Sequence, residues 1–334
     1  MNAIKYIQTT SALMSCIILT VMLLSTACVR EYPEEGKEVD PTEIQLTFDL
    51  NTAPPISASA ASSHVYFIIE LYEDQADPEP VFHYETGAAR NSSGTAAVSV
   101  STSLHAGEYI LAAFAVSCND STGDDSVYEL SDLRNITFKD GEYPGPTTLK
   151  ECYSLTMPVN LPYEVWFASD TLREELTAPV GKVEVISEDA AEFVRTYISG
   201  LSSAPALSDE DLSNYGIRWA YDLYSPVGFN AVTGLPNKAE TGVGFVTDLT
   251  PLDDGEMLLG YDYLFVNGES STVNFSISLY DKATEETLNT YGGIEAEIFK
   301  GKATTLRGNF LTVDRESGVS IDTDFNEGDI NITV

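Results

Sequence analysis

Positive charge is scarce in this chain of 334 residues: 17 Lys and Arg stand against 52 Asp and Glu, a formal charge of −35. So acidic a surface repels phosphate and excludes nucleic acid as a partner. Histidine is rare as well. His64, His83 and His105 have no Cys, Asp or Glu at the spacing of a metal site or a catalytic triad. No nucleophile elbow, Walker loop, dinucleotide fingerprint or H-E-x-x-H run occurs. The reading is therefore of a non-enzyme with no catalytic residues, cofactor, metal ligands or small-molecule substrate. Long amphipathic helices are missing too. A disordered acidic chain is excluded, because 43% hydrophobic and 10% aromatic residues suffice for a packed core.

Cysteine is limited to Cys16, Cys28, Cys118 and Cys152. Lys5 is the only charge before Cys28, and Ala12 to Leu24 is almost continuously apolar. That run is too short for a spanning helix and fits a secretory signal. Its end, Ser25-Thr26-Ala27-Cys28, matches a lipobox in which the Cys28 thiol takes lipid, although Leu24 sits one place early. The alternative is a plain signal peptide cut beside a cysteine. Residues 1–27 are read as the signal peptide and 28–42 as a lipidated acidic tether. The acids that follow Cys28, from Glu31 to Asp40, resemble the surface-export signals of Bacteroidales lipoproteins. The expected location is the outer membrane, lipid-anchored, at the cell surface. Cys118 and Cys152 remain. In an exported protein they either form one disulfide, worth about 3–4 kcal/mol in the chain-entropy model, or stay as two buried thiols.

Beyond the tether the dominant period is two. Ile44, Leu46, Phe48 and Leu50 alternate with polar residues as in a half-buried strand. Val65 to Tyr72 is apolar on both faces, as a central strand would be. Further strands are expected at 81–85, 96–101, 108–116, 135–138, 153–159 and 165–167. Polar clusters such as Asn91-Ser92-Ser93-Gly94 punctuate them. The second half is expected to restart at Val180–Ile186, with Ser187 capping a short helix that runs to Ile198. Strands then follow at 216–224, 261–266, 272–280, 295–299, 304–312, 319–321 and 329–334. The pattern argues for an all-β protein of two antiparallel β-sandwich domains in series, at 43–170 and 171–334, with a short helix in the second.

Several segments then resemble a known family. Leu104-His105-Ala106-Gly107-Glu108-Tyr109, continuing to Phe114, is similar to a strand of the fimbrillin-like (type V pilin superfamily) lipoproteins of Bacteroidales. Pro179-Val180-Gly181-Lys182 with Glu192-Phe193-Val194 resembles the start of their second domain. Gly260-Tyr261-Asp262-Tyr263 and Thr304-Thr305-Leu306-Arg307-Gly308 look like two later family segments. The resemblance implies two transthyretin-like domains, a place among pilus subunits, anchors and tips, and assembly by β-strand addition. Other fimbrial subunits would be the partners, with the outer membrane held through the lipid. Stalk pilins are cut after an Arg near the first strand. Here Arg30 adjoins Cys28 and the next Arg is Arg90, so a retained first strand and an anchor or accessory role are expected. The strand-exchange candidates are Ile44, Leu46, Phe48 and Leu50 in the first strand, and Ile330, Ile332 and Val334 in the last, because a terminal strand can leave a sheet without breaking a loop.

Other features carry weaker alternatives. Asp322-x-Asp324-x-Asn326 superficially resembles a calcium loop, but Glu327 follows where Gly is required, and a solvated turn explains it. Asp120, Asp124 and Asp125 form a similar cluster. Eighteen Tyr, with Trp166 and Trp219, could stack on sugar rings, so a surface glycan-binding lipoprotein is the competing function. Trp219 nevertheless alternates with Ile217 and Tyr221 as a buried residue would. Asp170-Thr171-Leu172 and Asp125-Ser126-Val127 fit a short O-glycosylation acceptor.

Overall fold

The computed structural model describes residues 43–57, 62–76, 79–162, 169–198, 212–252, 255–313, 319–320 and 330–333. Cys28, the signal segment, the tether, Trp166, the 322–326 loop and Val334 lie outside them.

The first half contains β1 (Glu43–Thr52), β2 (His64–Tyr72), β3 (Phe82–Ala89), β4 (Ala97–His105) and β5 (Gly107–Cys118). Next come β6 (Tyr128–Glu129), β7 (Ile136–Phe138), β8 (Cys152–Leu161) and β9 (Ser169–Leu176). The second half opens with β10 (Val180–Ser187) and the helix α1 (Ala190–Tyr197). It continues through β11 (Tyr215–Tyr221), β12 (Ser225–Asn230), β13 (Leu235–Glu240), β14 (Gly244–Asp248) and β15 (Thr250–Pro251). The last strands are β16 (Met257–Phe265), β17 (Ser270–Asp281), β18 (Thr287–Phe299), β19 (Ala303–Gly308), β20 (Val319–Ser320) and β21 (Ile330–Thr333). Among the described residues the fold is an all-β sandwich architecture with one short α-helical element, α1.

The two halves repeat one topology. The first stacks sheet β4-β1-β9 on sheet β3-β2-β5-β8, and the second contains β16-β10-β19 and β14-β11-β17-β18 in the corresponding orders. In each, the opening strand lies at the centre, antiparallel to one neighbour (β4 or β16) and parallel to the other (β9 or β19). Each half also carries an insertion, β6–β7 in the first and β12–β13 in the second. These join through β7 and β12 into one four-stranded sheet. Aromatic contacts close the same seam: Phe114 lies 5.8 Å from Phe229, and Tyr128 5.8 Å from Phe265. The cores of the halves are therefore continuous.

The expected boundary at residue 170 falls inside β9. Leu172 pairs with Phe48, and Leu176 with Thr52, so this strand belongs to the first half and the crossing to the second follows it. Most pairs in the sandwiches are antiparallel, and β1–β9 and β10–β19 are parallel. Ser187 does not cap α1. It ends β10, donates to Asp189, and accepts from the Phe310 amide at 3.0 Å. Asp189 occupies the N-cap position, yet its carboxylate binds the Thr312 amide at 2.8 Å instead of the helix. Both polar side chains are spent on the 310–312 loop.

A register shift in β10–β16 sits between Val185 and Ile186, facing Gly260, whose φ is 135°. A side chain at this position would meet Thr247 at 2.8 Å and Trp219 at 2.9 Å. The bulge breaks the alternation of the strand. Met257 and Leu259 are buried before it and Leu258 is not, whereas every residue from Asp262 to Phe265 is buried after it.

Candidate functional site

The strand-exchange candidates fall into two different settings. Ile44, Leu46, Phe48 and Leu50 all lie on the buried face of β1, each at most 2% exposed. β1 pairs with β4 from Glu43 to Asn51 and with β9 from Gln45 to Thr52. Further bonds tie its end: the Thr52 amide to Ala96 O at 2.9 Å, and the Ala53 amide to Leu176 O at 2.8 Å. On the outer face Thr47 meets Ser101 at 2.7 Å, and Ser99 donates to Asp49 at 2.6 Å. Exposing four large apolar side chains would cost about 6–12 kcal/mol at roughly 1.5–3 kcal/mol each. That is comparable with the whole stability of a typical domain, so β1 does not leave spontaneously.

The last strand is an edge strand. In β21, Ile330 pairs in parallel with Thr304, and Ile332 with Leu306, and among the described residues the strand has a neighbour on β19 alone. Among the described residues it has no counterpart in the first half. There β9 is the equivalent of β19, and among the described residues its outer side carries no strand along Ser169–Leu176, although Thr177 just beyond it exchanges two hydrogen bonds with Ser154 at 2.8 and 3.1 Å. Asp170, Arg173, Glu174 and Glu175 line β9. Charges of this kind discourage indiscriminate edge pairing. Arg173 extends to Asp49 at 3.4 Å while its side chain stays largely exposed.

Cys118 and Cys152 are both buried and both free, the second of the two readings. Register supplies the reason. Cys152 lies opposite Val116, not Cys118, and such diagonal neighbours are about 7–8 Å apart, beyond the usual span of a disulfide. Burial pushes the Cys118 thiol up to about 12, and the Cys152 thiol upward as well.

The remaining candidates resolve case by case. Asp120 accepts the amide and hydroxyl of Thr122 at 2.8 and 2.7 Å, and Asp125 accepts the Asn119 amide at 2.8 Å. These carboxylates cap their own turn. Trp219 is buried between Phe245 and Phe275, with centroids at 5.2 and 4.8 Å, and donates to Leu259 O at 3.2 Å. It offers no sugar platform. Ser126 of the second acceptor motif is buried, while Thr171 of the first lies within β9. His64 sits by Asn119 O at 3.2 Å. His83 is joined across strands to Glu70 at 2.8 Å, and along β3 to Glu85 at 2.9 Å. The Glu70 contact was hidden in the sequence because strand pairing, not spacing, creates it. An open cleft of about 560 Å³ at the end of the first half is lined by Glu73, Asp74, Gln75, Glu108 and Asn160. Among the described residues no helix is long and apolar enough to cross a membrane.

Comparison with known structures finds distant likenesses. The fimbrial anchor protein Mfa2 from Porphyromonas gingivalis is 12% identical at a TM-score of 0.42, over 75% of this chain and 82% of that one. A candidate cell adhesion protein from Bacteroides uniformis is 12% identical at 0.42, over 83% and 94% of the two chains. A candidate polysaccharide-binding protein from Bacteroides thetaiotaomicron is 11% identical at 0.39, over 75% and 80%. No curated protein matches the sequence. Residues 35–334 match the family described as a family of unknown function, DUF6562, and the chain belongs to that family.

Proposed function

We propose that this is a cell-surface lipoprotein, anchored through Cys28, that serves as an anchor or accessory subunit of a fimbria and binds its neighbour by strand addition. The observation that carries this reading is the unequal completion of the two repeats. β19 holds an added parallel strand, β21, whereas its equivalent β9 is paired on one side only from Ser169 to Leu176 among the described residues, and the next residue, Thr177, bridges to Ser154 of β8. An unpaired sheet edge is a template for an incoming strand. The same fold already demonstrates the parallel pairing that such a strand would adopt. β1 is the retained strand, because its four buried side chains make release costly. The absence of Arg between Arg30 and Arg90 supports retention.

Arg173→Cys on the exposed edge tests the proposal by cross-linking in intact cells. The expected result is a higher-mass adduct that co-isolates with surface fibres and disappears when fibres are absent. Monomer alone on fibre-bearing cells, together with binding to a glycan array, would favour the sugar-binding alternative.

A further inference from the structure

The most enclosed polar cluster lies where the halves meet. Lys150 ends the 3-10 turn Thr148–Lys150 before β8, and Asp262 lies on β16 just past the Gly260 bulge. Lys150 Nζ touches Asp262 Oδ1, and neither side chain has any solvent exposure. Tyr221 donates to Asp262 Oδ2 at 2.7 Å, and Tyr143 donates to the same oxygen. The Tyr143 ring centroid is 3.9 Å from Nζ and that of Phe138 is 5.1 Å away.

As a mere ion pair this cluster is expensive, because removing two charges from water costs several kcal/mol for each ion. Burial pulls Lys150 toward the neutral amine, although the Asp262 carboxylate opposes it. The contacts also meet the needs of an amide condensation. An amine is held against a carboxyl group, hydroxyl donors face the oxygen that gains charge, and no bulk water is present to reverse the product.

We propose that Lys150 and Asp262 condense into an intramolecular isopeptide bond that covalently ties the first half to the second. A proton first passes from Nζ to Oδ1, giving an amine and a carboxylic acid. Nζ attacks Cγ, and the carbonyl electron pair moves to Oδ2, where the Tyr143 and Tyr221 hydroxyls hold the developing charge. A second proton passes from nitrogen to Oδ1. The Cγ–Oδ1 bond then breaks as the carbonyl reforms at Oδ2, and one water leaves. Ammonium plus carboxylate becomes amide plus water, with no oxidant or co-reactant. The bond does not rest on the fimbrial role.

Peptide mapping of the purified chain by mass spectrometry tests this directly. The expected product is a branched peptide joining the Lys150 and Asp262 segments, lighter by one water than the two together. It should be absent from K150R and D262A. In Y143F and Y221F, which keep the ring packing, it should form at least about 10-fold more slowly. Because the mass is read on denatured wild-type chain, the test survives a variant that fails to fold. Recovery of both segments unlinked, from cells and after prolonged incubation at neutral pH, would overturn the proposal.

Discussion

Phe48 on β1 stacks against Phe82 on β3, with ring centroids 6.0 Å apart and planes 24° apart, so the first strand is fastened to the facing sheet. Phe48→Ala should cost about 3–5 kcal/mol by denaturant unfolding, as for other buried aromatic truncations. Asp49→Ala, on the outer face of the same strand, should change stability by no more than roughly 1 kcal/mol. Equal effects for the two would contradict the inward and outward assignment of β1.

His83 places both ring nitrogens on carboxylates, Nδ1 on Glu70 and Nε2 on Glu85. Burial lowers its proton affinity, but the hydrogen bonds and charges of Glu70 and Glu85 outweigh this and raise the pKa above 6.5. A group with a raised folded pKa adds stability below its unfolded value, and that stability is lost as pH rises through the folded value. The network is therefore fully formed below pH 6.5 and released above the raised pKa. NMR titration should give a His83 midpoint above 6.5 that falls in E70Q. A midpoint at or below 6.5 in the wild type would remove the network.

Cys118 and Cys152 are buried thiols held protonated, and reactivity requires an accessible thiolate. Neither should react with a maleimide in the native protein, and both should react in denaturant without prior reduction. Labelling that needs a reductant would restore the disulfide.

Gly260 has a φ of 135° and no room for a side chain. Gly260→Ala should destabilise the protein by about 1–3 kcal/mol, from backbone strain and overpacking together. The same change should disturb the Trp219 indole, which lies against the bulge and can be followed by near-ultraviolet circular dichroism. An unchanged spectrum and stability would mean that the bulge tolerates a side chain.

Strands with one buried face were legible because alternation is written in the residues. Ile44 to Leu50, Val65 to Tyr72 and Val180 to Ile186 all emerge close to the expected positions. β12, β13 and β14 were not anticipated. β13 and β14 are exposed edge strands without an apolar period, and Pro226 and Gly228 in β12 read as turn residues. The junction of the halves was equally hidden, since pairing of β7 with β12 joins segments that are distant in sequence. Lys150 and Asp262 belong to the same class. Neither is conspicuous in its own segment, and only the packing of the two halves brings them together.

The retained first strand is central to the proposed role, and the N-terminus of the surface-exposed protein tests it most directly. Mass spectrometry of protein taken from intact cells should find acylated Cys28 on a chain that still contains Glu43 to Thr52. A surface form that begins beyond Thr52 would contradict the account.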